Sequence, residues 1–140
     1  MQYMQYREMT IEDYEQMIEL WQKIPGLVLS QADSREGVAE FLVRNPGLSF
    51  VCESSEKIAG TMMCGHDGRR GFMYHVAVDP MYRHQQIGKQ LVRLGLAGLR
   101  EAGIEKCHIF VLADNETGNR FWSSQGWQKR NDFFTYSKNT

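Results

Sequence analysis

The chain has 140 residues, of which 42% are hydrophobic and 24% are charged, a balance typical of a globular rather than a disordered protein. At this length we expect a single domain, residues 1–140, built around one core. The 16 basic and 17 acidic residues leave a formal net charge of −1. This balance argues against a nucleic-acid partner, because such binding relies on a basic surface. The N-terminal residues lack the apolar segment of a secretion signal, and no apolar stretch reaches about 18 residues, so we expect a cytoplasmic protein without a membrane partner.

Three cysteines, Cys52, Cys64 and Cys107, are widely spaced and lie in apolar segments. An odd number in such positions is typical of reduced, buried thiols. Cys64 with His66, or Cys107 with His108, would supply two metal ligands at most. Because structural zinc needs four ligands at a regular spacing, we expect no metal site.

The first third of the chain predicts one strand and two helices. Residues 4–9 alternate weakly between apolar and polar side chains, as a strand does. A helix begins at Thr10, with Asp13 as its capping-box partner, and ends before Pro25. A second capping box, Asp33 with Glu36, predicts another helix, which ends at the Asn-Pro-Gly sequence of residues 45–47.

The remaining two thirds predict strands interrupted by two helices. The strands are 48–53, 57–66, 72–78 and 106–113, followed by a hairpin-like pair within 127–137. A long helix runs from about Ile87 to Ala102, and a short one covers 115–125. The order is therefore β-α-α-β-β-β-α-β-α-β-β. It predicts an α+β fold in which helices flank a mixed, mostly antiparallel sheet.

Residues 83–89 follow a predicted strand and open the long helix. A helix N-terminus has unpaired N–H groups and a partial positive charge, so it holds phosphate readily. The segment is not a P-loop, since Gln90 follows Lys89, and it is not a dinucleotide fingerprint, since Gly88 is its only glycine. An ordinary helix start with a solvated arginine and lysine is the alternative interpretation.

A longer stretch around this segment, VAVDPMYRHQQIGKQL, resembles the acetyl-CoA-binding motif of the GNAT N-acetyltransferase superfamily. That motif is R/Q-x-x-G-x-G/A after a strand ending in V-x-P. Arg83 matches its first position and Gly88 its last, while Gln86 stands where the first glycine is usual. A side chain at position 86 can be accommodated if it points to solvent and if the backbone needs no positive φ.

A second segment, NETGNRFWSSQGW, resembles the family's N-x-x-A-x-x-L-Y-x-x-x-G-F sequence. The matching positions are Asn115, Gly118, Phe121, Trp122, Gly126 and Trp127. The predicted order of elements is also the order of this family, so the resemblance covers essentially the whole chain.

The resemblance implies that acetyl-CoA is the co-substrate. The backbone N–H groups of residues 84–89 would meet its pyrophosphate, and Arg83 and Lys89 would add positive charge. The strand 72–78 would present its backbone to the pantetheine arm, and its pairing with 106–113 should fail at one end. Asn115 would bind the pantetheine amide, a role compatible with capping the helix that follows it. The implied donor-binding residues are Val76, Ala77, Val78, Arg83, His84, Gln85, Gln86, Ile87, Gly88, Lys89, Asn115 and Trp122.

The resemblance further implies that an amine attacks the thioester directly, in a ternary complex. An ammonium must first lose a proton, and His75 is our first candidate for the base because imidazole titrates near neutral pH. Glu53 and Tyr74 are alternatives, and His75 could instead be a purely structural residue. The family commonly has an acidic tyrosine at the position of Trp122, whose indole N–H cannot protonate the leaving thiolate. Trp122 would therefore pack either on the pantetheine or within the core.

Residues 25–36 correspond to the loop where this superfamily usually builds its acceptor pocket. Apolar residues 27–29, with Asp33 and Glu36 nearby, could receive an amine attached to an apolar body. The acceptors that fit this picture are a small-molecule amine and the α-amine of a protein N-terminus, and a homodimer is left open. The missing tyrosine motivates a rival, a non-catalytic acyl-CoA-binding domain.

Overall fold

The computed structural model of the protein describes residues 3–140, which form two compact units. The first ends at Phe110 and the second spans Val111–Thr140. The first unit contains five strands, β1 (Met4–Glu8), β2 (Phe50–Ser54), β3 (Lys57–His66), β4 (Gly71–Val78) and β5 (Cys107–Ile109). Its helices are α1 (Tyr14–Gln22), α2 (Arg35–Arg44) and α3 (Ile87–Glu101).

The strands form one sheet in the order β1-β2-β3-β4-β5. The first four are antiparallel neighbours, and β5 lies parallel to β4 because α3 carries the chain back across the sheet. This architecture confirms the predicted α+β class with a mostly antiparallel sheet. All three cysteines are free, with Cys52 and Cys64 buried and Cys107 half-buried.

One face of the sheet packs against α1 and α2. Trp21 and Met17 of α1 and Val38 of α2 are fully buried there, against Val51 and Met63 of the sheet. Successive strand residues point to opposite faces, so Met62 lies on the other side, where α3 packs.

Helix α3 lies close to the sheet because glycines face it. A β-carbon built on Gly60 of β3 would come within 2.8 Å of Cγ2 of Ile87, the first residue of α3. Ile87 and Leu91 are buried at this contact. The absence of a side chain at Gly60 therefore sets the position of the helix N-terminus.

The prediction that Asp33 and Glu36 form the capping box of α2 is wrong. Ser34 caps α2, its Oγ accepting from the N–H of Gly37 at 3.1 Å. Asp33 instead ends the 3₁₀ turn Gln31–Asp33, where its Oδ2 accepts from the N–H of Ser30 at 2.9 Å. The sequence offers two overlapping sets of capping residues, and the chain uses the serine of each.

The second unit contains α4 (Glu116–Ser124), as predicted for 115–125. The hairpin-like pair predicted within 127–137 is not formed, and residues 128–140 are all exposed. The sequence predicts a strand pair there, but a strand pair is stabilised by a buried apolar face. Because residues 128–140 bury no side chain, they provide no such face. No helix in the described part of the chain is long and apolar enough to cross a membrane.

Candidate active site

Strands β4 and β5 pair over only three residues. Gly71 lies opposite Cys107 and Met73 opposite Ile109, and the pairing stops there. On its other side β4 continues to pair with β3 as far as Val78. The predicted failure of pairing at one end is confirmed. Among residues 3–140, no strand therefore pairs with the β5-facing edge of residues 74–78.

A β-bulge interrupts β4 within this free stretch. Met63 of β3 pairs with Tyr74, but Thr61 pairs with Ala77, so two residues of β4 face a single residue of β3. His75 is one of the two, and its φ of +50° lies in the left-handed region that non-glycine residues rarely adopt. The bulge turns the backbone of β4 within the stretch along which the family resemblance places the pantetheine arm.

Hydrogen bonds from the interior hold the backbone of the bulge. The carbonyl oxygen of His75 accepts from Oγ1 of Thr61 at 2.8 Å. The hydroxyl of Thr61 is fully buried and in turn accepts from Nε1 of Trp21 at 2.9 Å. Removing a partner from such a buried chain would leave an unsatisfied polar group, so the bulge is strongly constrained.

The imidazole of His75 is held as firmly as its backbone. Its Nε2 lies 2.6 Å from Oδ1 of Asp33, and the two side chains are only 12% and 11% exposed. The indole of Trp21 packs against the ring, with the centroids 4.6 Å apart. His75 therefore points toward the layer of α1 and the α1–α2 connection, and its Nδ1 is the ring nitrogen left for another partner.

The predicted phosphate segment leads into the N-terminus of α3. Among residues 3–140 no protein acceptor is bonded to the backbone N–H groups of residues 84–89, and α3 has no side-chain N-cap bond. Arg83 and Lys89 are exposed, and neither forms an ion pair with a described residue. Gly88 is buried in the first turn of α3. The segment thus presents unpaired donors and two free cations at the end of the strand that carries the bulge.

A side chain at Gln86 was expected to be tolerated if it is exposed and if the backbone needs no positive φ, and only the first condition is met. It is exposed, as expected, but its φ is +64°, in the left-handed region. The backbone therefore needs a positive φ at this position, which is the reason a glycine suits it. His84, with a φ of +65°, shares this conformation.

The two alternative bases are less suited than His75. Glu53 of β2 is paired with Arg7, whose Nη2 lies 3.2 Å from Oε2, and Arg7 also binds Asp13 at 2.8 Å. Hydrogen bonds to Asp13 and Glu53 raise the pKa of Arg7, so Glu53 faces a permanent cation. Tyr74 packs edge-on against Phe41, and burial raises the pKa of its phenol, which makes the basic phenolate scarcer.

Asn115 and Trp122 belong to the second unit. Oδ1 of Asn115 accepts from the N–H of Gly118 at 3.0 Å, so its helix-capping role is realised. Trp122 is buried, with edge-on contacts to Phe121 and Trp127 at 5.0 and 4.7 Å between centroids. Of its two predicted roles, core packing is thus observed.

Sequence reasoning missed three residues that converge on His75. Trp21 and Thr61 lie in a predicted helix and a predicted strand without any assigned role, and Asp33 was predicted as a helix cap or pocket residue. No local signal in the sequence joins them, since each contacts His75 or its partner from a different element. Within residues 3–140 no three side chains of the metal-binding types are grouped so that they could hold an ion.

Comparison with known proteins assigns the family. The profile of the Acetyltransferase (GNAT) family matches residues 14–127, so the chain belongs to that family. An acetyltransferase of Pectobacterium atrosepticum is 31% identical over 113 residues, which are 81% of this chain and 79% of the relative. One of Sodalis glossinidius is 30% identical over the same shares. The protein is therefore an acetyltransferase, as the two motifs predicted.

Solved structures share the fold. The aminoglycoside N-acetyltransferase AAC(6′)-Iy in complex with CoA has a TM-score of 0.78 at 18% identity, and the match covers 100% of this chain and 97% of that one. The PaiA N-acetyltransferase of Thermoplasma acidophilum in complex with coenzyme A has a TM-score of 0.73 at 20% identity, over 87% of each chain.

Proposed function

We propose that this acetyltransferase moves the acetyl group of acetyl-CoA to a primary amine, by direct attack while both substrates are bound. The observation that carries the proposal is the free edge of β4 (residues 74–78), followed along the chain by the unpaired N–H groups of residues 84–89. An extended amide-bearing arm fits a strand edge, and a pyrophosphate fits a cluster of N–H donors.

The first part of the proposal concerns how the donor is held. The N–H groups of residues 84–89 donate to the pyrophosphate oxygens, and Arg83 and Lys89 add charge-assisted hydrogen bonds. The main chain of Val76, Ala77 and Val78 hydrogen-bonds the pantetheine arm along the free edge of β4. Bound acetyl-CoA supplies a thioester carbonyl, whose carbon the amine attacks and whose sulfur leaves.

The bulge in β4 orients an N–H donor toward the carbonyl oxygen of the acetyl group. Because the backbone is fixed by Thr61 and Trp21, this donor is in place before the reaction begins. Such preorganised donors stabilise the negative charge that develops on oxygen, and removing one typically lowers kcat by about 10²–10³-fold.

His75 removes the proton that blocks attack. An ammonium has no lone pair, so Nδ1 of His75 takes one N–H proton, directly or through water. The freed lone pair forms the C–N bond as the C–S bond breaks, and solvent accepts the second amine proton. The CoA thiolate, with a pKa near that of a free thiol at about 8.5, leaves without an acid such as the tyrosine that Trp122 replaces.

The acceptor we favour is a small-molecule amine. The α1–α2 connection is half apolar, with Leu27 and Leu29 half-buried and Val28 exposed, which suits an amine on a compact apolar body. The aminoglycoside acetyltransferases that share the fold support the same class. The α-amine of a protein N-terminus is the alternative acceptor.

Substitutions at the two exposed cations test donor binding. We expect Arg83→Ala and Lys89→Ala each to weaken acetyl-CoA binding by about 10-fold or more, since a hydrogen bond to a charged group contributes about 1.5–3 kcal/mol. Isothermal titration calorimetry at two salt concentrations measures this, because a phosphate contact weakens with salt.

The matched control is Arg100→Ala, which removes an exposed arginine from the last turn of the same helix. Its affinity for acetyl-CoA should stay within about twofold of the parent. Equal losses at all three positions would indicate a nonspecific charge effect, and no loss at Arg83 and Lys89 would place the pyrophosphate elsewhere.

A further inference from the structure

We propose that Asp33 is the positioning residue for His75, fixing the imidazole proton on Nε2 and leaving Nδ1 as the proton acceptor. This inference rests on the proposed role of His75 as the base. It assigns a function to a carboxylate that the two sequence motifs do not include.

The contact between the two side chains is short and shielded. Oδ1 of Asp33 lies 2.6 Å from Nε2 of His75, and both side chains are nearly nine-tenths buried. A carboxylate can only accept a hydrogen bond, so Nε2 must carry a proton to be held at this distance. The neutral ring then has its lone pair on Nδ1, which is the state a base requires.

Asp33 is itself oriented by its backbone surroundings. Oδ2 accepts from the N–H of Ser30 at 2.9 Å, so the two carboxylate oxygens have separate partners. The main-chain oxygen of Asp33 accepts from the hydroxyl of Tyr14 at 2.6 Å. The first bond orients the carboxylate within its own turn, and the second ties that turn to Tyr14 of α1, so the imidazole bound to the carboxylate is held in place.

Within the described residues, the groups that pack around His75 from α1 and β3 are uncharged. The ring of Trp21 of α1 packs against the imidazole at an interplanar angle of 50°, Thr61 of β3 donates to the carbonyl oxygen of His75, and Tyr74 precedes His75 in β4. Tyr14 reaches Asp33 through the main chain. Within residues 3–140, Asp33 is the charged side chain that contacts His75.

The substitution Asp33→Asn distinguishes positioning from mere packing. The Ser30 N–H needs an acceptor, so it selects the orientation in which the new amide oxygen faces Ser30. The amide NH₂ then points at Nε2 and can only donate, which forces Nε2 to accept and moves the ring proton to Nδ1. A near-isosteric change thus reverses the tautomer and removes the lone pair from Nδ1.

The experiment measures the tautomer by long-range ¹H–¹⁵N correlation spectra of the imidazole, with the His75 signals identified by their loss in His75→Asn. The parent protein should carry its proton on Nε2, and Asp33→Asn should carry it on Nδ1. With the best amine of an acceptor panel, kcat should fall by about 10²–10⁴-fold, the usual contribution of a general base. Acetyl-CoA affinity should change by less than about twofold.

The control is Glu40→Gln, an exposed carboxylate on α2, which should keep both the tautomer and the turnover of the parent. A parent proton on Nδ1, or full turnover in Asp33→Asn, would overturn the proposal. The tautomer is measured on the protein without acetyl-CoA, so failure here is distinguishable from failure of the pyrophosphate placement, which the calorimetry of Arg83→Ala and Lys89→Ala tests.

Discussion

Five non-glycine residues among 3–140 have a positive φ, and three of them surround the proposed site. Ser55 and Glu56 form the two-residue turn between β2 and β3, and a tight hairpin turn of this length favours a positive φ. His75, His84 and Gln86 lie in the bulge and the phosphate segment. The left-handed conformation costs an ordinary residue about 1–2 kcal/mol. Strain held at these positions by surrounding contacts is typical of functional sites.

We predict that Gln86→Gly makes the protein more stable. Glycine removes the left-handed penalty, while its added backbone freedom in the unfolded chain costs about 0.5–1 kcal/mol. The net gain should therefore be up to about 1 kcal/mol in the free energy of unfolding, measured by urea denaturation. Acetyl-CoA binding should be retained, because the backbone donors stay in place.

The neighbouring Gln85→Gly provides the matched control. Gln85 is equally exposed but has no positive φ, so the same substitution should lower stability by about 0.5–1 kcal/mol. Opposite signs at adjacent glutamines would establish the strain at residue 86. A loss of stability at both would contradict it.

Between elements, the position of α3 on the sheet decides where the phosphate segment lies. The periodicity of residues 87–102 predicted the helix, and the structure ends it at Glu101. The closeness of approach was not predictable, because it depends on Gly60 of β3 facing Ile87 of α3. The length of β5 was not predictable either, because the apolar run indicated 106–113 and the strand is Cys107–Ile109. A strand extends only as far as its neighbour pairs with it, and β4 pairs with β5 over three residues.

We expect Gly60→Ala to displace the start of α3 and to weaken both folding and donor binding. The new methyl group would lie 2.8 Å from Cγ2 of Ile87 and 3.2 Å from the carbonyl oxygen of Ala77, so one neighbour must move. Overpacking of this kind costs about 1–3 kcal/mol. Urea denaturation measures the loss, and calorimetry measures the accompanying fall in acetyl-CoA affinity.

A double-mutant cycle with Ile87→Ala isolates this contact. Shortening Ile87 alone leaves a cavity, but combined with Gly60→Ala it makes room for the new methyl group. The double variant should therefore lose less stability than the sum of the two single changes. Strict additivity would show that the two residues do not oppose each other.

For the molecule as a whole, the family assignment establishes an acetyltransferase and leaves the acceptor open. The GNAT profile spans 14–127, and so covers the bulge, the phosphate segment and α4 alike. The prediction of a single domain, residues 1–140, stays a prediction. If the donor and the acceptor are bound to the enzyme at the same time, the initial velocity depends jointly on both of their concentrations.

We therefore predict intersecting lines in double-reciprocal plots of initial velocity, when acetyl-CoA and a turned-over amine are varied together. The amine comes from a panel of polyamines, aminoglycosides, amino-acid amides and peptides with free N-termini, and release of free thiol reports turnover. Parallel lines would indicate an acetylated enzyme and would contradict direct attack. Tight acetyl-CoA binding without thiol release from any amine would favour the non-catalytic rival.

The sequence by itself determined the features that depend on neighbours along the chain. Hydrophobic periodicity and capping residues indicate the helices, and the motif of residues 83–89 predicts a donor-binding segment because its residues are consecutive along the chain. Only the tertiary structure decided the features that join distant elements. The His75–Asp33 pair links residues 42 apart, and the bulge depends on Thr61 and Trp21 from two other elements. Such contacts depend on how strands align and helices pack, which local patterns in the sequence do not specify.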